Sequence, residues 1–246
     1  MNKAKLLDLS IMIVLFIGVS TFPVNYFVHD LFWYYVIEAL LMIAVLLFIF
    51  LYTRRHTYLY PENNRFRLKA LLLLLPSVLI IGSNFYYAWI VKEPLSPSFD
   101  NYHGIEIIFI VVSVVVEEML FRLFLLGNLT HENKMIRILI SAGIFAACHL
   151  THFFSTFNPA SLVIVAYAFG LGMILGMVYC YANSFIACVG LHLLFNLVND
   201  FLFERLFIVS NVLWYYLINV FVAVIIGLYL LLIYLLKLRK NPVELG

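Results

Sequence analysis

The run NVLWYYLINVFVAVIIGLYLLLIYLL, residues Asn211–Leu236, contains no charged residue and is longer than the roughly 20 apolar residues that a helix needs to cross a bilayer. A helix of this composition has no face suited to water, so lipid must be its solvent. Seven more runs of comparable length precede it: Leu6–Val28, Leu31–Tyr52, Leu68–Val91, Gly104–Gly127, Met135–Ser155, Ala160–Tyr181 and Ser184–Phe203. The sequence therefore predicts an all-α, polytopic transmembrane bundle of about eight helices.

The overall composition supports the same fold class. The chain of 246 residues is 65% hydrophobic and 11% charged, whereas about a quarter of the residues of a soluble domain are charged. The net charge of +2 and the lack of a basic, aromatic-rich patch argue against nucleic acid as a partner. The three cysteines lie inside apolar runs and show no disulfide framework. We therefore expect an integral, multi-pass membrane protein whose main surrounding partner is the lipid bilayer.

Several polar residues interrupt the apolar runs. A polar group within the hydrocarbon is costly, so each one is a functional candidate by default. The candidates on the fourth, fifth and seventh runs are Glu117, Glu118, Arg122, His149, His152, His192, Asn196 and Asn199. Glu38 and Glu106 also lie within runs, and we interpret them as structural or helix-end residues.

Helical spacing groups these candidates. Glu118 and Arg122 are four residues apart, so they share a face and are predicted to form a pair that sets the helix geometry. Glu117 lies about 100° around the helix from Glu118, so its partner must come from another helix. With a rise of about 1.5 Å per residue, Glu117, His149, His192 and Asn196 reach similar depths near mid-membrane. They form either a site or a set of polar contacts between helices, and for His152 both interpretations stay open.

Three short motifs carry a family resemblance. Residues 117–122 (EEMLFR), 145–149 (FAACH) and 192–196 (HLLFN) match the EExxxR, FxxxH and HxxxN motifs in order, on three separate predicted spans. The chain thus resembles the CAAX protease and bacteriocin-processing family of intramembrane endopeptidases, which are similar to the Ras-converting CAAX endopeptidase. The resemblance covers roughly Ile105 to Asp200.

The resemblance implies roles for the motif residues. Glu117 would activate a water molecule, His149 would hold that water, and His192 and Asn196 would stabilise the oxyanion. Glu118, Arg122 and His152 would support them. The chain then divides into residues 1–103, three motif-free helices; 104–203, the catalytic core; and 204–246, a last helix with a basic tail. The resemblance implies a membrane-associated peptide or protein substrate, and a bacterial cell membrane as the location.

Alternatives remain open for both chemistry and function. Glu117, His149 and His192 are also the ligands of a possible zinc site with one position open to water, although the sequence lacks the HExxH pattern. We favour a cofactor-free, glutamate-activated water. A non-catalytic membrane protein (a bacteriocin immunity factor or a sensor scaffold) and a transporter are the competing functions, but the sequence has no internal inverted repeat typical of a transporter.

The distribution of basic residues predicts the orientation in the membrane. Of the 15 lysines and arginines, 12 fall on the side of the two termini and two, Lys92 and Arg205, on the other, with Arg122 inside a helix. By the positive-inside rule both termini are cytoplasmic. Reporter domains fused after Lys5 and after Lys240 should both report a cytoplasmic location, and export of either reporter would contradict this topology.

Overall fold

The computed structural model describes residues 3–55, 66–98, 103–131, 133–150 and 161–238. These residues are helical almost throughout, with an isolated β-bridge between Leu95 and Phe207 and no strand among them, which confirms the predicted all-α class. The α-helices are α1 Lys3–Ser20, α2 Leu31–Arg55, α3 Leu68–Leu74, α4 Ser83–Val91, α5 His103–Glu118, α6 Lys134–Cys148, α7 Ser161–Met177, α8 Phe185–Phe195, α9 Phe203–Leu206 and α10 Val212–Ile233.

Six of the predicted spans are long and apolar enough to cross a membrane in the part of the chain that the structure describes. They are Lys5–Tyr26, Leu31–Arg54, Leu68–Val91, Val163–Ala182, Phe185–Leu206 and Val212–Lys237. The other two predicted spans are not among these six, for a different reason in each case. Helix α5 and its continuation carry the charged candidate residues, and α6 is only 15 residues long in its described part. The fold is that of an integral, multi-pass membrane protein.

Prolines interrupt two of the N-terminal spans. Pro76 lies at the start of a 3₁₀ segment, Leu75–Gly82, which separates α3 from α4. A proline has no N–H to donate and its ring crowds the preceding turn, so regular α-helix ends there. Helix α1 ends at Ser20, earlier than the predicted Val28, because Pro23 disfavours helical backbone at the residue before it. A 3₁₀ turn, Val24–Tyr26, follows.

Three helices of the core continue into π-helical segments. Met119–Leu126 follows α5, Val178–Ala182 follows α7, and Asn196–Leu202 follows α8. Helix α5 packs against α2 on one side and α8 on the other, and α6 packs along α7. The first π segment begins directly after Glu118 and the last begins at Asn196, so the helices widen where the motif residues lie. Widened turns of this kind are frequent at functional sites.

Close contact between α6 and α7 depends on two glycines. A Cβ added at Gly172 would lie 3.1 Å from the Cα atom of Ala142, and one at Gly176 would lie 2.9 Å from Cγ2 of Ile138. Real Cβ atoms are rarely so close to a neighbour. The small-xxx-small spacing of these glycines therefore lets the two helices approach closely, as is common between membrane helices.

Replacing Gly172 should separate these two helices. Gly172→Val is expected to lower the free energy of unfolding by about 1–3 kcal/mol, the usual cost of overpacking a close contact. Gly170→Val is the matched control, because a Cβ at Gly170 meets no atom within 4 Å. Thermal unfolding in detergent measures both variants. Equal stability of the two variants would contradict the close-contact role of Gly172.

Candidate active site

The centre of the site is the imidazole of His192, which lies between two consecutive glutamates of α5. Its Nδ1 is 2.8 Å from Oε1 of Glu118, and its Nε2 is 3.7 Å from Oε2 of Glu117. His192 is only 3% exposed. The side chains of consecutive residues on a helix point in directions about 100° apart. A single ring can therefore contact both carboxylates only if it lies between the two side chains. The inter-helix partner expected for Glu117 is therefore His192 on α8.

Glu118 has a second neighbour, the guanidinium of Arg122. Nη1 of Arg122 lies 2.9 Å from the same Oε1 atom, and both side chains are almost fully buried. The guanidinium also lies over the ring of Phe145, 4.5 Å from its centroid. The predicted pair of Glu118 and Arg122 is thus present. Its carboxylate also fixes the ring of His192, a contact that helical spacing did not predict.

Phe145 positions both histidines. Its carbonyl oxygen is 2.9 Å from Nδ1 of His149, and its ring packs edge-on against both His149 and His192, with centroids 4.7 and 5.9 Å away. Because a carbonyl oxygen can only accept, Nδ1 of His149 donates this hydrogen bond. In a neutral His149 ring, Nε2 then carries the lone pair and is the atom able to accept a proton or a hydrogen bond.

A cavity of about 560 Å³ brings the predicted residues together. Glu117, His149, His192 and Asn196 all line it, although they come from three different helices and their continuations. Glu117 is partly accessible, with 17% of its side chain exposed, whereas Glu118 is fully enclosed. The two adjacent carboxylates therefore differ in position, since one faces the cavity and the other lies behind His192.

Other lining residues were not predicted as part of the site. They come from the broken third span and from α7, α9 and α10, and include Asn84, Tyr167, Glu204 and Asn219. Two hydrogen bonds join Asn84 and Asn199. The backbone N–H of Asn84 donates to Oδ1 of Asn199 at 3.3 Å, and Nδ2 of Asn84 donates to the backbone carbonyl of Asn199 at 3.0 Å. Asn84 and Asn219 are polar residues within apolar runs, and that signal was available in the sequence.

Glu106 and Glu38 do not line this cavity. Glu106 forms an ion pair with Arg205, accepts a hydrogen bond from the hydroxyl of Tyr35 at 3.2 Å, and lies 3.2 Å from Nδ1 of His103. Glu38 is buried on α2. His152 lies outside the described residues, so its supporting role stays a prediction.

One segment of the chain is similar to a known protein family. The family model described as type II CAAX prenyl endopeptidase, Rce1-like, matches residues 102–198. This segment of the chain is similar to the Rce1-like family. This match contains the Glu117, His149 and His192 motifs and supports membership of the CAAX protease family. Neither a curated protein nor a solved structure matches the chain.

Zinc is the metal that Glu117, His149 and His192 could hold in this cavity. A metal-binding histidine needs a partner for its other ring nitrogen, and both rings have one: the Phe145 carbonyl for His149 and Glu118 for His192. However, no three His, Cys, Asp or Glu side chains in the described part of the chain converge as ligands of one ion. The cofactor-free mechanism and the zinc site of Glu117, His149 and His192 therefore both stay predictions.

The two adjacent glutamates should respond differently to the same substitution. Glu118→Gln leaves Arg122 and His192 without their shared buried anion, so it should lower the free energy of unfolding by about 3–5 kcal/mol. Glu117→Gln, the matched control one residue away, should leave stability nearly unchanged because that side chain faces the cavity. Thermal unfolding and membrane-fraction protein levels measure both. Equal losses in the two variants would show that Glu118 has no special structural role.

Proposed function

We propose that this protein is an intramembrane endopeptidase that hydrolyses a peptide bond of a membrane-associated protein or peptide with a water molecule activated by Glu117. The observation that supports this most is the placement of Glu117, whose carboxylate faces the same cavity as His149, His192 and Asn196. A base, a second group able to hold water and two possible hydrogen-bond donors are the parts that peptide hydrolysis requires.

The first step would be attack by water. A water molecule held between Glu117 and Nε2 of His149 gives its proton to the Glu117 carboxylate as its oxygen bonds to the scissile carbonyl carbon. The carbonyl π electrons move to oxygen and form an oxyanion. Glu117 then transfers the proton to the departing amine nitrogen as the carbon–nitrogen bond breaks. The products are a new carboxyl end and a new amino end, and Glu117 returns to its starting form.

His192 would stabilise the oxyanion together with the side-chain amide of Asn196. To donate from Nε2 while Nδ1 donates to Glu118, the imidazole must carry both protons and be positively charged. Nδ1 of His192 lies 2.8 Å from the carboxylate of Glu118, which accepts this hydrogen bond. Glu118 would therefore act as a positioning residue, and its ion pair with Arg122 would keep it in place.

A second cavity suits a substrate with an apolar portion. It has a volume of about 660 Å³, lies between α6, α7 and α10, and is lined almost entirely by apolar side chains. Val163 and Tyr167 line both cavities, so the two adjoin. Apolar side chains or a prenyl group of the substrate would fit in the second cavity while the scissile bond lies beside Glu117. This supports a membrane-associated substrate.

The competing functions are supported less. A non-catalytic immunity factor or sensor scaffold would keep the helical bundle but would not need a carboxylate that faces a cavity of about 560 Å³ together with two histidines and an asparagine. A transporter would need a path that opens to each side in turn, and no described feature suggests one. For location, we propose a bacterial cell membrane, as the family resemblance implies. We propose that both termini are in the cytoplasm, because of the asymmetry in basic residues.

Two substitutions test the proposed chemistry. Glu117→Gln keeps the shape of the side chain and removes the base, so cleavage should be abolished in a protein that still folds. Asn196→Ala should lower turnover by about 10²–10³-fold, the usual effect of losing one oxyanion donor, with little change in substrate binding. The measurement is mass spectrometry of peptides cleaved by purified protein in detergent.

Three outcomes would each contradict a part of this mechanism. Near-normal cleavage by the Glu117→Gln protein would show that another group is the base. Stoichiometric zinc in the purified protein, with activity lost on chelation and restored by zinc, would replace the glutamate-only mechanism with a metal-assisted one. Equal losses of binding and turnover in Asn196→Ala would make Asn196 a substrate-binding residue.

A further inference from the structure

A buried asparagine on the last helix has a hydrogen-bond acceptor that is not satisfied within the protein. Asn219 lies on α10, is 3% exposed and lines the 560 Å³ cavity. Its Nδ2 donates to the carbonyl oxygen of Tyr215 at 2.9 Å. Its Oδ1 is enclosed and has no hydrogen-bond partner among the described residues. It lies beyond residue 198, where the family match ends.

The hydrogen bond to Tyr215 fixes which atom of the amide is unsatisfied. A carbonyl oxygen only accepts, so the NH₂ group of Asn219 must face it, and a flipped amide would place two oxygens against each other. Oδ1 is therefore the atom left over. An enclosed acceptor without a donor is unfavourable, and such groups are rare in folded proteins unless a ligand or water completes them.

The other buried asparagines of this cavity differ from Asn219. Oδ1 of Asn199 accepts from the backbone N–H of Asn84 at 3.3 Å, and its Nδ2 faces the carbonyl of Ile80 at 3.4 Å. Asn84 in turn donates its side-chain amide to the Asn199 carbonyl. These two residues satisfy each other and join α4 to the π segment after α8. Asn219 is as deeply buried as Asn199, yet its acceptor has no such internal donor.

We infer that Oδ1 of Asn219 accepts a hydrogen bond from a main-chain N–H of an extended peptide bound in this cavity. The inference rests on the proposed peptidase function. A peptide taken out of its own helix within a membrane exposes N–H groups that lipid cannot satisfy, so the cavity that receives it must offer acceptors. Asn219 thus binds the substrate backbone and is a substrate-positioning residue for the reaction at Glu117.

The stability of the free protein gives the first test. Asn219→Leu replaces the amide with an apolar group of similar size and removes an unsatisfied acceptor, so the melting temperature in detergent should stay the same or rise. Asn199→Leu is the matched control, because it breaks satisfied hydrogen bonds and should lower the melting temperature by several degrees. A loss in Asn219→Leu as large as that in Asn199→Leu would overturn the inference, because Asn219 would then be structural.

Peptide binding gives the second test. The probe is a fluorescein-labelled pool of end-blocked octapeptides with randomised central residues, and its counterpart is the same pool with N-methylated central peptide bonds, which cannot donate. Glu117→Gln protein, which should bind without cleaving, should prefer the unmethylated pool by about three- to tenfold, the effect of roughly one hydrogen bond. In Glu117→Gln/Asn219→Leu this preference should shrink to near unity.

The outcomes separate this inference from the proposed function. An unchanged preference in the double variant, or no binding of the unmethylated pool, would overturn the role of Asn219. Binding that depends on Asn219, together with a wild-type protein that cleaves no member of the pool, would support the role of Asn219 and count against the peptidase. Cleavage by the wild-type protein with a preference that ignores Asn219 would support the peptidase alone.

Discussion

The imidazole of His192, held between the carboxylates of Glu117 and Glu118, is the contact on which the arrangement of this site depends. It joins α5 to α8 in the buried part of the bundle, where little water is available to stabilise an isolated charge. Because the glutamates are consecutive, one ring nitrogen faces the enclosed carboxylate and the other faces the cavity. The same ring therefore contributes to the packing of the bundle and to the chemistry proposed for the cavity.

Charge balance explains why the second glutamate is accompanied by Arg122. A single buried carboxylate would be too costly in this environment, and the guanidinium of Arg122 and the hydrogen bond from His192 compensate for it. Arginine suits this position better than lysine would, because its planar guanidinium also packs over the ring of Phe145, 4.5 Å from the centroid. Phe145 contacts both histidines as well, so one aromatic side chain packs against Arg122 and against the two histidines proposed for the chemistry.

Much of this site could be predicted from residue type, spacing and depth. Glu117 could be identified because it is a charged residue within an apolar run. The helical rise predicted that it lies at the same depth as His149, His192 and Asn196, and all four residues line one cavity. The hydrogen bond between Glu118 and His192 could not be predicted from the sequence, because it depends on how α5 and α8 pack. The π segments are not visible in a hydropathy pattern. Asn219 gave a visible signal, a polar residue in an apolar helix, but its unsatisfied oxygen emerges only from the three-dimensional contacts.

The coupling between Glu118 and His192 tests the central contact most directly. A double-mutant cycle of Glu118→Gln and His192→Gln, read as the free energy of unfolding in detergent, isolates the interaction from the cost of each substitution. Direct contact at 2.8 Å predicts a coupling of about 1–3 kcal/mol, larger than that of a parallel cycle between Glu117 and His192. Additive effects of Glu118→Gln and His192→Gln would contradict the account, because the two side chains would then not share the buried contact that orients the ring.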